Sequence, residues 1–197
     1  MAVKFLLTAI LFFVILYTYI GSFGLMTSPI GYQLSDRRSE MAVTYRKATH
    51  EDIESLVRLR LDYMAEDRGE LDSDTTEAIV RQLRDYFARQ LNNNFIAFLA
   101  EDNGQAVSTV FMAVAEKPAN PSFITGKTAT ILNVFTYPGY RRKGIATRLL
   151  TMMIDEAKAM YISYLELSAT DAGKPVYEKL GFVRKQSRYT EMKLELL

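Results

Sequence analysis

"NVFTYPGYRRKGIATRLL", residues 133–150, joins a strand, a turn and a helix start in one short run. Its first residues close an apolar, β-branched segment that begins near residue 126 and ends at Pro138, the pattern of a strand. Pro138 and Gly139 then mark a turn. Beyond it, Ile145, Leu149, Met152, Met153, Glu156 and Met160 recur on one side of a helix. Arg141, Arg142 and Lys143 stand at the start of that helix. Cations ordinarily suit the other end, where they oppose the dipole. A helix N-terminus already offers unpaired N–H groups and partial positive charge, so three cations there point to an anion arriving from outside.

Working outward, "TYRKA" (44–48) predicts a short strand, and Thr49 with Asp52 resembles a capping box with Asp in the Glu position. In the helix that follows, Ile53, Leu56, Val57, Arg60, Leu61 and Met64 lie at three-and-four spacing. A second helix from Asp74 repeats the pattern at Ile79, Leu83, Tyr86, Phe87 and Leu91. Residues 94–116 predict a hairpin turning at "DNG". After the quoted segment come a strand at 162–169, a short helix at 173–181 ended by glycine, and a closing hairpin over 181–196. A strand-helix-strand unit across 127–169 implies a parallel pair, so the expected fold is a mixed α/β sheet covered by helices.

The first 40 residues stand apart. Residues 5–35 carry no charge, and "FLLTAILFFVILYTYIGSFGLM" (5–26) is long enough to cross a bilayer as a helix. A secretory signal is disfavoured, because the apolar run exceeds an h-region and no small-x-small cleavage site follows. Two readings remain, a membrane anchor or an upstream extension before a start at Met41. Lys4 on one side and Arg37 and Arg38 on the other set only a small orientation bias. We therefore divide the chain into an apolar segment, 1–40, and a domain, 41–197.

Without Lys4, Asp36, Arg37, Arg38 and Glu40, the totals leave 21 cations against 21 carboxylates. That balance supplies no basic field for nucleic acid. The chain has no cysteine and one histidine, His50, which removes disulfides, thiolate chemistry and multi-histidine metal sites. No metal is expected. Chemistry falls to carboxylates, tyrosines, backbone groups or a cofactor.

The quoted segment resembles the acyl-CoA signature of the GNAT superfamily of N-acetyltransferases: Arg or Gln, two free positions, Gly, one free position, then Gly or Ala. Arg141, Gly144 and Ala146 supply it. "ATDAGKPVYEKLGF" (169–182) is similar to the family's second motif, in which a tyrosine precedes a short helix end and "LGF". The resemblance covers the chain from Met41 onward. It implies a central, mostly antiparallel sheet with one parallel, splayed strand pair and flanking helices. It also implies acetyl-CoA as co-substrate and transfer to an amine by direct attack in a ternary complex.

The residues support a binding loop independently of the family. Backbone N–H groups of 142–146 at a helix start can surround a pyrophosphate, with Gly144 permitting close approach and Arg141, Arg142 and Lys143 adding charge. The expected cofactor segment runs through Ile145, Ala146 and Thr147. No Gly-Lys-Ser/Thr follows, which disfavours a nucleoside triphosphate. The resemblance further implies that Val134, Phe135 and Thr136 pair their backbone with the pantetheine arm, near a main-chain N–H that stabilises the oxyanion. Tyr177 matches the family's general-acid tyrosine, the alternative being an amphipathic packing residue.

Glu166 sits in "YLELSA", on the strand face opposite Leu165 and Leu167. It is either a base acting through water or a plain polar strand position. Glu66, Asp67, Glu70, Asp72 and Asp74 form an acidic run that is either solvated or attracts a cationic amine. The acceptor is expected to be an amine on a small molecule or a protein terminus, the chain a monomer or homodimer. The catalytic domain is expected in the cytoplasm, tethered if residues 5–26 anchor it. The rival expectation is a non-catalytic acyl-CoA-binding or membrane-tethered interaction module.

Overall fold

The computed structural model describes residues 43–187, 189–190 and 192–196. The apolar stretch 5–26, and with it the anchor expectation, lies outside them. Among the described residues, no helix is long and apolar enough to cross a membrane.

Strand β1 (Thr44–Lys47) leads through a 3-10 turn (His50–Asp52) into helix α1 (Ile53–Arg68) and then helix α2 (Ser73–Gln90). Strands β2 (Phe95–Asp102), β3 (Gln105–Glu116) and β4 (Lys127–Thr136) follow. Helix α3 (Ile145–Ala159), the two-residue strand β5 (Leu165–Glu166) and helix α4 (Lys174–Lys179) complete the order. The sheet runs β1-β2-β3-β4-β5, antiparallel throughout except for the parallel pair β4–β5. This is the predicted mixed architecture.

Local chemistry accounts for the boundaries. Asp52 accepts hydrogen bonds from the Thr49 N–H at 2.7 Å and the Thr49 hydroxyl at 3.2 Å, and it also takes the Arg46 guanidinium at 2.7 Å. Asp72 caps α2 by accepting from the Thr75 N–H at 2.9 Å. Asn103 and Gly104, both at positive φ, turn the β2–β3 hairpin.

Strand β2 is buried on both faces, and its alternate residues serve two cores. Phe95, Ala97 and Leu99 join Leu56, Leu59 and Phe87 beneath α1 and α2. Ile96, Phe98 and Ala100 join Ile145, Leu149, Leu150 and Met153 beneath α3. Each such large apolar side chain contributes about 1.5–3 kcal/mol on burial.

One irregularity shapes the sheet. Thr109 pairs with Phe135 but Phe111 pairs with Leu132, so Asn133 and Val134 together oppose Val110. Asn133 takes a left-handed φ of 49°, which asparagine tolerates better than most residues. The extra residue reverses the inward alternation of β4. Ile131 faces α3, whereas Phe135, four residues on, packs beneath α1 and α2.

Two expected elements are altered. The strand predicted at 162–169 is reduced to Leu165–Glu166, paired with Ala129 and Thr130. Beyond Thr130, β4 enters its bulge and the ladder with β5 stops. The closing hairpin predicted over 181–196 is not seen among the described residues, where no strand follows α4. Val183, Met192, Leu194 and Leu196 supply an apolar pattern but remain exposed, with no strand edge beside them to complete a ladder.

Candidate active site

Three features converge where β4 leaves β5. The first is the turn before α3. Arg142 and Gly144 have left-handed φ values of 62° and 79° around Lys143, so the backbone curls into a concavity at the helix start. A Cβ added to Gly144 would meet nothing within 4 Å, which leaves that side of the concavity open for close approach. The flanking residues hold it in shape. Tyr140 donates to Asp102 at 2.7 Å, Arg141 donates to the Thr136 carbonyl at 2.7 Å and to Glu66 at 2.5 Å, and Lys143 donates to the Gly139 carbonyl at 2.7 Å.

Arg141 therefore fastens the loop to β4 and to the end of α1. Arg142 and Lys143 remain exposed beside the helix start, while Ile145 turns inward to the core and Ala146 and Thr147 continue the first turn. A charged, N–H-rich hollow of this kind fits a pyrophosphate.

The second feature is the open edge of β4. The Phe135 carbonyl accepts from Ser108 on the β3 side at 2.7 Å. Strand alternation then turns the backbone groups of Val134 and Thr136 toward the side that β5 occupies only as far as Thr130, with the Thr136 carbonyl already taken by Arg141. Among the described residues, no strand pairs with that part of the edge. An extended amide-bearing chain could pair there in place of a strand.

The third feature is Tyr177 on α4. Its ring packs edge-on against Phe182 at 6.0 Å, and burial pushes its phenol pKa above the ordinary value, with the Tyr63 phenol adding to the shift. At neutral pH the group stays protonated and holds a proton to give.

Glu166 is placed at the neighbouring strand end, but its carboxylate is engaged by Lys185 at 3.0 Å. Members of the acidic run are similarly occupied. Glu66 binds Arg141, Asp67 lies 3.6 Å from Arg68, and Asp72 caps α2. His50 is exposed in its 3-10 turn.

Sequence reasoning missed a cleft of about 150 Å³ between α1, α2 and β4, where Arg60 and Gln82 stand among apolar side chains that include Leu83, Tyr86, Phe87 and Leu132. Arg60 lies over the Tyr63 ring at 5.6 Å and donates to the Asn133 side-chain oxygen at 3.0 Å. Tyr63 in turn meets Phe135 edge-on at 6.5 Å. Arg60 thus ties the cleft to the β4 bulge, and the Tyr63 ring beneath it interacts electrostatically with the Tyr177 phenol. The signal was present in the sequence as a single arginine inside the apolar stripe of α1.

A family model described as "Acetyltransferase (GNAT) family" matches residues 53–182. A predicted acetyltransferase from Clostridium acetobutylicum, solved with acetyl-CoA, is 32% identical with a TM-score of 0.66, over 77% of this chain and 96% of that one. A GCN5-related N-acetyltransferase from Ralstonia eutropha JMP134 shares the fold at 24% identity and a TM-score of 0.64, over 76% and 98% of the two chains. So does glucosamine-6-phosphate N-acetyltransferase from Arabidopsis thaliana, at 18% identity and a TM-score of 0.56, over 76% and 97%. Among curated proteins none matches the chain. On the strength of the family match, which spans both motifs and everything between them, the chain belongs to the GNAT family of acetyltransferases.

Proposed function

We propose that the chain transfers an acetyl group from acetyl-CoA to an amine by direct attack in a ternary complex. The observation that carries this reading is the pairing of a left-handed, cationic hollow before α3 with an open backbone edge on β4. The 32%-identical relative solved with acetyl-CoA supports the choice of donor. In this reading the pyrophosphate lies against the N–H groups of 142–147, with Arg142 and Lys143 adding charge and Arg141 holding the loop in place. Val134, Phe135 and Thr136 form the segment that takes the pantetheine arm.

The amine's lone pair attacks the thioester carbonyl carbon, and a main-chain N–H of the same segment steadies the developing oxyanion. As the carbon–sulfur bond breaks, Tyr177 gives its proton to the departing thiolate. The amine proton leaves through water, with Glu166 as the carboxylate assigned to receive it. Its ion pair with Lys185 must open or relay for that role. Replacing Glu166 by Gln should then lower turnover at neutral pH, and unchanged turnover would leave the proton to water alone.

The test incubates the full chain with isotopically labelled acetyl-CoA and a fractionated metabolite extract, then searches by mass spectrometry for acetylated amines. Labelled products that vanish with Tyr177→Phe support the reading. Acetyl-CoA binding without any transferred label would instead favour a non-catalytic acyl-CoA-binding module.

A further inference from the structure

The guanidinium of Arg60 is half-buried at the mouth of the cleft, and desolvation draws its pKa down. Among the described residues, no carboxylate stands within ion-pair distance of it. Its one hydrogen bond goes to a neutral amide oxygen, that of Asn133. Asp67 and the Tyr63 phenol offset the desolvation only in part and from beyond ion-pair distance, and a half-desolvated cation so placed gains from a directly bound anion.

Asn133 adds a second demand. The residue is only 5% exposed, and its side-chain nitrogen has no partner. A guanidinium with no carboxylate in ion-pair range and an amide N–H with no acceptor therefore meet at one place, beside the bulge whose next residue, Val134, leads into the open edge of β4. Apart from Gln82, the rest of the cleft is apolar and aromatic, with Leu83, Tyr86 and Phe87 on one side and Leu132, 39% exposed, at the rim. Its volume, about 150 Å³, compares with cavities that admit a benzene ring.

We propose that the acceptor is an α-amino acid with a hydrophobic side chain, its carboxylate bound by Arg60 and its side chain seated in the cleft of Leu83, Tyr86, Phe87 and Leu132. The proposal rests on the acetyl-transfer reading and specifies its acceptor. In an α-amino acid the amine is two bonds from the carboxyl carbon. A carboxylate on Arg60, which is tied to Asn133, thereby brings the nitrogen close to the Val134 edge where the thioester is assigned. An amine with a distant or absent carboxylate would leave Arg60 with only the remote charge of Asp67 and its bond to Asn133. The acidic run is not needed as an amine trap, consistent with the internal partners of Glu66, Asp67 and Asp72.

The experiment compares three probes on the full chain: L-phenylalanine, phenethylamine, which lacks the carboxylate, and hydrocinnamate, which lacks the amine. L-phenylalanine should be acetylated with a kcat/KM about 10- to 100-fold above that of phenethylamine, the range expected when a charge-assisted contact is lost. Hydrocinnamate should compete with L-phenylalanine. It should bind Arg60→Gln about 10- to 100-fold more weakly, at unchanged acetyl-CoA affinity, with Arg60→Lys recovering part of the loss. Equal use of L-phenylalanine and phenethylamine by the wild-type protein would overturn the proposal without any variant. If no amine is acetylated but hydrocinnamate still binds through Arg60, the carboxylate site stands and the acetyl-transfer reading falls. If hydrocinnamate does not bind, the site falls.

Discussion

The two faces of the sheet are built from the same strands but to different standards. Beneath α3, Ile145, Leu149, Leu150 and Met153 interlock with Ile96, Ala100 and Met112. Beneath α1 and α2, Phe111 meets Phe87 and Phe95 edge-on at 5.7 and 5.1 Å while those two rings tilt against each other, yet the layer opens at its margin into a cleft lined by Arg60, which is bonded to the unsatisfied Asn133. Packing that closes completely stabilises and does little else. A margin left open, with polar groups that still lack partners, is where a ligand gains the most. Tyr137 packs against both cores, at the point where the bulged strand passes from one to the other.

The largest effect should come from Tyr177, which packs on the α3 side. Tyr177→Phe is expected to lower kcat by roughly 100- to 10,000-fold, the usual contribution of a positioned acid, with the acetyl-CoA Kd unchanged in calorimetry. Equal turnover in both proteins would remove Tyr177 from the mechanism. The faces themselves separate next. Leu149→Ala, fully buried beneath α3, should cost about 3–5 kcal/mol in urea unfolding, because a cavity is left behind. Leu83→Ala borders an existing cleft and should cost only the transfer component, about 2 kcal/mol. Equal losses would mean that the cleft is packed as tightly as the α3 core. Gly144→Asp puts a side chain at φ 79° and a negative charge in the hollow. Acetyl-CoA binding should weaken by roughly 100-fold, and an unaltered Kd would refute the loop assignment.

The closed face was the more legible one. Its helix could be placed from Ile145, Leu149 and Met153, because three-and-four spacing follows directly from helix geometry. The loop motif was equally plain, since local constraints on Gly144 and the cations do not depend on distant packing. The bulge at Asn133 was not visible, because an asparagine inside an apolar run gives no sign of which neighbour it will oppose across the sheet. Without the bulge, β4 and β5 would be expected to pair along their length, and residues 162–169 were assigned too long a strand. The tail was misjudged for a related reason: alternation records which side chains suit a strand, and cannot supply the edge it needs. In the sequence Arg60 is one position of a stripe; only the fold shows that no carboxylate among the described residues lies within ion-pair distance of it.

Tyr137 offers the finest comparison, because it touches both faces and binds Asp62 through its hydroxyl. Burial first, then the hydrogen bond to Asp62 and its charge, raise the Tyr137 phenol to about 12 from its usual 10. A folded-state pKa above the unfolded one means that the native state keeps a proton the unfolded chain releases. The stabilisation is therefore complete below pH 10 and is lost as pH climbs toward 12. Tyr137→Phe should lower stability by about 1 kcal/mol at neutral pH, through the lost hydrogen bond. Between pH 10 and 12 it should fall less steeply than the wild type, so that the two unfolding curves converge. Parallel curves across that window would show that the Asp62 contact does not join the faces in solution, and that Tyr137 serves only as a packed ring against Phe135.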